Sequence, residues 1–176
     1  TQIDPQRDVI CVAGRPVCYR RFMYIMMHKP QGVLSASRDP HARTVIDLVP
    51  EQWRRKGLFP AGRLDKDTTG LLIITDDGDF AHRMLAPASH VYKLYEATLD
   101  SPVMPGDIER FAAGIPLGDF ETLPAALAVP DPGNPAIVQV RICEGKYHQV
   151  KRMFAACGHE VTALKRLCVG GLCLDP

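Results

Sequence analysis

Four consecutive aliphatic residues, Leu71-Leu72-Ile73-Ile74, are flanked by Gly70 on one side and by Thr75-Asp76-Asp77-Gly78 on the other. An apolar run this short, bounded by turn-forming residues, predicts a buried strand running into a turn. Upstream, Pro60, Gly62 and Gly70 interrupt regular structure, so Asp65 and Asp67 fall on an irregular loop anchored by that strand. Loops held by a rigid scaffold carry a disproportionate share of reactive groups. Arg63 sets positive charge two residues from Asp65, and a positioned, ionised carboxylate can act as a nucleophile or a base. A lone loop aspartate usually does no more than cap the turn or helix that follows. The string Arg-Leu-Asp-x-Asp-Thr-Thr-Gly is more particular than that.

With 176 residues the chain can form one or two small domains with a real core. Charge nearly balances, 21 Lys and Arg against 20 Asp and Glu, but unevenly along the chain. Residues 1–60 hold 10 basic and 5 acidic side chains, residues 61–145 hold 6 and 13, and residues 146–176 hold 5 and 2. A polyanion would be met by the two ends. The cysteines at 11, 18, 143, 157, 168 and 173 contain no C-x-x-C pair, and Cys157 with His159 lacks partners at zinc spacing. Buried free thiols in a reducing cytosol are the expectation. The sequence shows no signal-peptide pattern and no apolar run of membrane length, which points to a soluble cytoplasmic protein.

In chain order, residues 8–17 read as a short strand and a turn. Phe22 to Met27 predicts a buried strand that ends at the breaker cluster His28-Lys29-Pro30-Gln31-Gly32. Thr44 to Val49 suggests a short helix stopped by Pro50, and Phe80 to Leu85 a helical turn or two with Asp76 or Asp77 as N-cap. From Val91 to Leu99 a strand is expected, with Val91, Lys93, Tyr95, Ala97 and Leu99 on one face. Pro105 to Ala113 has proline at its start, acid in its first turn and Gly114 at its end, which are helix signals at both termini. Residues 124–129 and 136–143 look like paired strands. In the stretch 144–158, Val150, Met153, Phe154 and Cys157 form one helical stripe, with His148, Lys151 and Arg152 opposite and Gly158 placed to end it. Taken alone, Tyr95 is a packed aromatic and the basic stripe a solvated helix face, while Lys29 fits a phosphate contact and simple solvation equally well.

Two enzyme classes could claim the Asp65 loop. Asp65-Lys66-Asp67-Thr68-Thr69 matches the D-x-D-x-T loop of haloacid-dehalogenase-type phosphatases, which work with magnesium. Those place the aspartate directly after an apolar strand, whereas Pro-Ala-Gly-Arg precedes it here. The longer pattern G-R-L-D-x-x-T-x-G-L-L-x-x-T-x-D-G is met by Gly62, Arg63, Leu64, Asp65, Thr68, Gly70, Leu71, Leu72, Thr75, Asp77 and Gly78. It resembles the signature of ribosomal RNA pseudouridine synthases, in the branch typified by the small-subunit enzyme RsuA. The K-x-Y element at Lys93–Tyr95 and the run E-G-x-x-x-Q-V-K-R-M from Glu144 resemble two further motifs of that family, in the same order. Tyr147-His148 and Lys151 look more like the small-subunit branch than the large-subunit branches, which favour Asn-Arg and Arg.

That resemblance implies an α+β fold, a mixed, largely antiparallel sheet with flanking helices and a central RNA-binding cleft. It implies a catalytic domain at residues 21–176, with residues 1–20 a remnant or linker after an RNA-binding domain that is missing. Asp65 would be the catalytic residue, Tyr95 would lie against the target base and Lys151 would neutralise the carboxylate. Arg63 would fill the space left by an extruded base. Lys29, Lys93, Arg152 and His148 would contact RNA. Isomerising uridine involves no net redox change and no energy source, so neither a cofactor nor a metal is expected. The partner would be ribosomal RNA, most naturally that of the small subunit, bound by a monomer. A large-subunit target and a non-catalytic RNA-binding module are the alternatives.

Overall fold

The computed structural model describes residues 10–17 and 21–175. Along them run β1 (Ile10–Val12), β2 (Arg15–Val17), β3 (Tyr24–Lys29), β4 (Phe59–Ala61), β5 (Thr69–Thr75) and α1 (Gly78–Leu85). Then come β6 (Lys93–Leu99), α2 (Pro105–Ala113), β7 (Ala126–Ala128), β8 (Ile137–Ile142), α3 (Gln149–Ala156), β9 (Val161–Val169) and β10 (Leu172–Cys173). β1 and β2 form a hairpin of their own. The remaining strands make one eight-stranded sheet in the order β3-β5-β9-β6-β8-β7, with β4 also on β5 and β10 on β9. Neighbours are antiparallel except β5 and β9, which run parallel where Thr69 and Gly70 meet Lys165 and Arg166. The fold is α+β with a mixed, largely antiparallel sheet.

The aliphatic run of β5 does not alternate with polar residues because both faces of the strand are covered. Leu72 and Ile74 join Phe111 of α2 and Val150, Met153 and Phe154 of α3 in the larger core. Leu71 and Ile73 pack on the other side with Ala81 and Met84 of α1. β6 shows the opposite pattern: Lys93, Tyr95, Ala97 and Leu99 are buried while the residues between them are not. That is the face expected from the period of two. Asp77 caps α1 by accepting from the Phe80 N–H at 2.9 Å, and Gly114 ends α2 with φ +100°.

Some local expectations change. The first strand of the sheet starts two residues later than Phe22, and Thr44–Val49 holds only a 3₁₀ turn over Ile46–Leu48. Phe59–Ala61, expected to be irregular because of Pro60, is a strand that pairs with the end of β5. Proline is tolerated there because the strand is short and paired along one side. Cys168 and Cys173 form a disulfide, which corrects the expectation of free thiols. Gly170 and Gly171 turn β10 back on β9 so that the two cysteines face each other across the hairpin. Cys11, Cys143 and Cys157 are free thiols, and Cys18 lies outside the described residues, as does most of the 1–20 segment. Among the described residues no helix is long and apolar enough to cross a membrane.

A buried polar lock joins the start of α2 to the loop before β9. Asp107 accepts from the Met104 N–H at 2.8 Å and faces His159 Nε2 at 3.0 Å, while His159 Nδ1 meets Ser101 Oγ at 2.9 Å. Burial alone would raise the Asp107 carboxyl, but the Met104 N–H and His159 outweigh it and hold it below its usual value. A carboxylate whose folded pKa is depressed stabilises the fold above its unfolded pKa, about 3.9, and loses that contribution as pH falls through the folded value. Asp107→Asn is expected to cost about 1–3 kcal/mol near neutral pH. The gap to wild type should close below about pH 4 in urea titrations across pH. A gap that stays constant into strong acid would remove the ionised carboxylate from the account.

Candidate active site

The loop carrying Asp65 leads into β5 beside the N-terminal end of α3. Backbone and side-chain contacts fix it at several points. Ser35 Oγ donates to the Leu64 carbonyl at 2.8 Å and accepts from the Leu64 N–H at 3.0 Å. The Gly32 N–H donates to the Lys66 carbonyl at 2.8 Å, and the Thr68 N–H to the Asp65 carbonyl at 3.1 Å. The Asp65 side chain is left about one-third exposed, at 32 %.

That carboxylate opens on a cavity of about 70 Å³. Arg63, Thr68, Tyr95, Lys146, His148 and Lys151 contribute its polar wall, and Leu64, Ile142, Val150 and Leu164 its apolar wall. His148 Nε2 lies 3.4 Å from one Asp65 oxygen and Lys151 Nζ lies 3.7 Å from the other. Lys151 makes its closer contacts to Asp67, at 2.7 Å to both oxygens. The Lys151 hydrogen bond holds the Asp67 carboxyl below the usual carboxylate range despite partial burial. His148 begins α3 in the left-handed region, φ 48°, with its ring stacked on Tyr147 at 3.9 Å between centroids. Strained backbone of this kind clusters at functional sites. The Thr68 hydroxyl is buried in the cavity wall with no hydrogen-bond partner among the described residues.

The residues singled out from the sequence are therefore distributed unequally. Asp65, Tyr95, Lys151, Arg63 and His148 line one cavity. Lys93 lines the adjoining one. Lys29, expected to contact RNA, is instead 0 % exposed. Its ammonium donates to the carbonyls of Pro30, Lys66 and Thr68 at 3.1, 3.3 and 2.9 Å. Burial lowers its pKa, with Asp67 and Asp65 opposing that. Lys29 thus braces the Asp65 loop from below, because backbone carbonyls that turn inward at a loop need donors. Arg152, also expected on RNA, is taken up by Asp119 and by the Leu117 carbonyl at 2.9 Å.

Sequence reasoning missed Asp67 as the nearer partner of Lys151, Ser35 as the pin of the loop, and Lys146 as part of the cavity wall. Only their neighbourhood in the folded chain reveals them. Gln149 offered a signal in its motif. It donates to Glu144 at 2.8 Å and accepts from the Lys146 N–H at 3.1 Å, closing the turn that feeds α3.

A family model described as RNA pseudouridylate synthase matches residues 23–156. An uncharacterised RNA pseudouridine synthase of Bacillus subtilis is 48% identical over 177 residues, which span 99% of this chain and 74% of that protein. Ribosomal small subunit pseudouridine synthase A of Escherichia coli K12 is 43% identical over 176 residues, 97% of this chain and 73% of that protein. A crystal structure of a pseudouridylate synthase superposes with a TM-score of 0.80 at 37% identity, over 99% of this chain and 74% of that one.

Proposed function

The chain belongs to the RNA pseudouridylate synthase family, whose members are isomerases, and we propose that it acts on a uridine of small-subunit ribosomal RNA with Asp65 as catalytic residue. One observation carries the assignment of Asp65: stretches far apart in sequence, around Arg63, Tyr95 and His148, converge on its carboxylate. The small-subunit target draws support from the E. coli relative and from Tyr147-His148 with Lys151 in the third motif.

Turning uridine into pseudouridine breaks the N1–C1′ bond, rotates the base, joins C5 to C1′, removes the proton from C5 and leaves N1 protonated. A carboxylate at the sugar–base junction serves by adding to the base, by attacking C1′ or by acting as a base toward the sugar. An anion held in a partly dry cavity needs a cationic partner. Lys151 supplies it at 3.7 Å from one oxygen, and His148 Nε2 faces the other oxygen at 3.4 Å. Asp67 holds Lys151 between the two carboxylates, so the cation is positioned without being locked onto Asp65. Tyr95 offers an aromatic face for the base, and its hydroxyl aids removal of the C5 proton. A stacked base is out of reach, so the target is extruded at a cost of roughly a few kcal/mol. Arg63, exposed at the rim, fills the vacated stack with a planar guanidinium. The protein acts as a monomer, and ribosomal RNA is its partner.

The test is to map carbodiimide-reactive pseudouridines on ribosomal RNA from cells with and without the protein. It is paired with isomerisation of the same RNA in vitro with metals chelated. A small-subunit site that disappears without the protein and is restored in chelator is the expected result. Loss confined to large-subunit RNA would overturn the target, and metal-dependent phosphate release in place of isomerisation would overturn the chemistry.

A further inference from the structure

Beside the Asp65 cavity lies a larger one, of about 460 Å³, and the two share the walls made by Arg63, Tyr95, Gly145 and Lys146. Lys93 and Arg166 also line it. Both are nearly buried, Lys93 at 7 % and Arg166 at 5 % exposure. Four cationic side chains thus face the cavity against a single carboxylate, Glu144. That carboxylate is already engaged by the Leu123 N–H and Gln149 Nε2, each at 2.8 Å, and by Lys146 at 3.4 Å.

The two buried cations are brought together by an irregularity in the sheet. Lys93 pairs with Val169 and Leu94 with Cys168, but Tyr95 then pairs with Arg166, so Leu167 is left over as a bulge. Directly opposed residues share a face, so the bulge turns Arg166 onto the face that carries Tyr95 and Lys93. Without it Arg166 would oppose Glu96 and point the other way. Arg166 is then anchored by Nε to the Leu71 carbonyl at 2.8 Å, with its guanidinium 6.0 Å from the Tyr95 ring centroid. Among the described residues the Lys93 ammonium forms no ion pair, and the charged groups that act on it are Arg166 and Cys143. Burial, followed by the charge of Arg166, lowers the Lys93 pKa, and Cys143 only partly opposes this.

Two neighbouring cations with little access to water, neither in an ion pair among the described residues, are costly to keep. An anion that enters the cavity would remove that cost. We propose that this cavity is a phosphate subsite, in which Lys93 and Arg166 bind one phosphodiester of the RNA strand next to the nucleotide held at Asp65. The inference rests on the reading of RNA as substrate. It adds that one phosphate is drawn into a preformed pocket in the protein, whereas ordinary backbone contacts lie along an exposed basic surface. Such a contact fixes how deep the extruded nucleotide goes and so sets the base over Tyr95.

The experiment compares wild type with Lys93→Met, and with Lys93→Gln as a second neutral variant. Two readouts are taken: thermal midpoint against inorganic sulfate, and binding of a short oligouridylate against salt. Wild type should gain stability with sulfate. The neutral variants should start from a higher midpoint in sulfate-free buffer, having lost an unpaired buried charge, and should not respond. Oligouridylate should bind them roughly tenfold more weakly, with a salt slope lower by about one. Equal sulfate responses, or unchanged oligouridylate binding and slope, would overturn the proposal. A sulfate response without any oligouridylate effect would mean that the pocket takes free anions only, which also overturns it. Pseudouridine formation by wild type on ribosomal RNA is scored separately: its absence counts against the functional reading, while the sulfate and binding arms still decide the pocket.

Discussion

Asp65→Asn is expected to reduce pseudouridine formation to background while leaving RNA affinity within a few-fold of wild type. Asparagine keeps the shape and nearly the volume of the side chain, so the loop pinned by Ser35 and Lys29 has no reason to move. The charge is what disappears. With it goes the anion that lies between His148 and Lys151, at 3.4 and 3.7 Å. A neutral amide cannot attack the sugar, add to the base or accept a proton from the sugar, so each of the three routes fails at once. RNA affinity is carried mainly by cation–phosphate contacts, and removing one negative charge beside the cleft does not weaken them. The check is single-turnover isomerisation beside equilibrium binding of the same RNA. A loss smaller than about 10²-fold would be no more than the absence of a proton-transfer aid, and would move Asp65 away from the reacting atoms.

The fold was readable wherever a residue's neighbours lie close in sequence. The aliphatic run of β5, the alternation from Lys93 to Leu99, the Asp77 cap and the two ends of α2 all follow from local periodicity and terminus chemistry. Residues whose roles depend on distant chain were not readable in this way. Lys29 looks like a solvated lysine after a strand until Lys66 and Thr68 bring their carbonyls over it. Arg152 shows no partner in the sequence, and only the loop after α2 brings Asp119 to it. Arg166 gave no signal, because the bulge that turns it inward is a mismatch between two strands and neither sequence alone records it. The same holds for the disulfide, whose partners meet only because of the β9–β10 turn. Of the candidate site, the motif residues were visible and the groups that brace them were not.

Gly70→Ala should be among the most destabilising single substitutions available, by about 4 kcal/mol or more, and should leave little soluble enzyme. From the sequence, Gly70 is a breaker ahead of the aliphatic run. In the fold it is the point where β5 meets β9 in the sheet's one parallel pairing, opposite Arg166, with Lys29 of β3 on its other side. A Cβ there would lie 2.2 Å from the Arg166 carbonyl oxygen, 2.5 Å from its nitrogen and 2.8 Å from its carbonyl carbon. These are backbone atoms, so no side chain can rotate away, and φ at +107° already disfavours any residue but glycine. β9 would have to move, and it carries Leu164 into the larger core and pairs with β6 along most of its length. Packed interiors do not absorb such a shift cheaply. Gly32→Ala is the control, since its φ is also positive, at +85°, but nothing lies within 4 Å of the added carbon. It should cost only about 1–2 kcal/mol, the price of the left-handed backbone alone. Urea midpoints of the two variants separate the effects. If both lost the same stability, the close approach of β5 to β9 would have no energetic weight, and the motif's glycine would be there for its backbone angle alone.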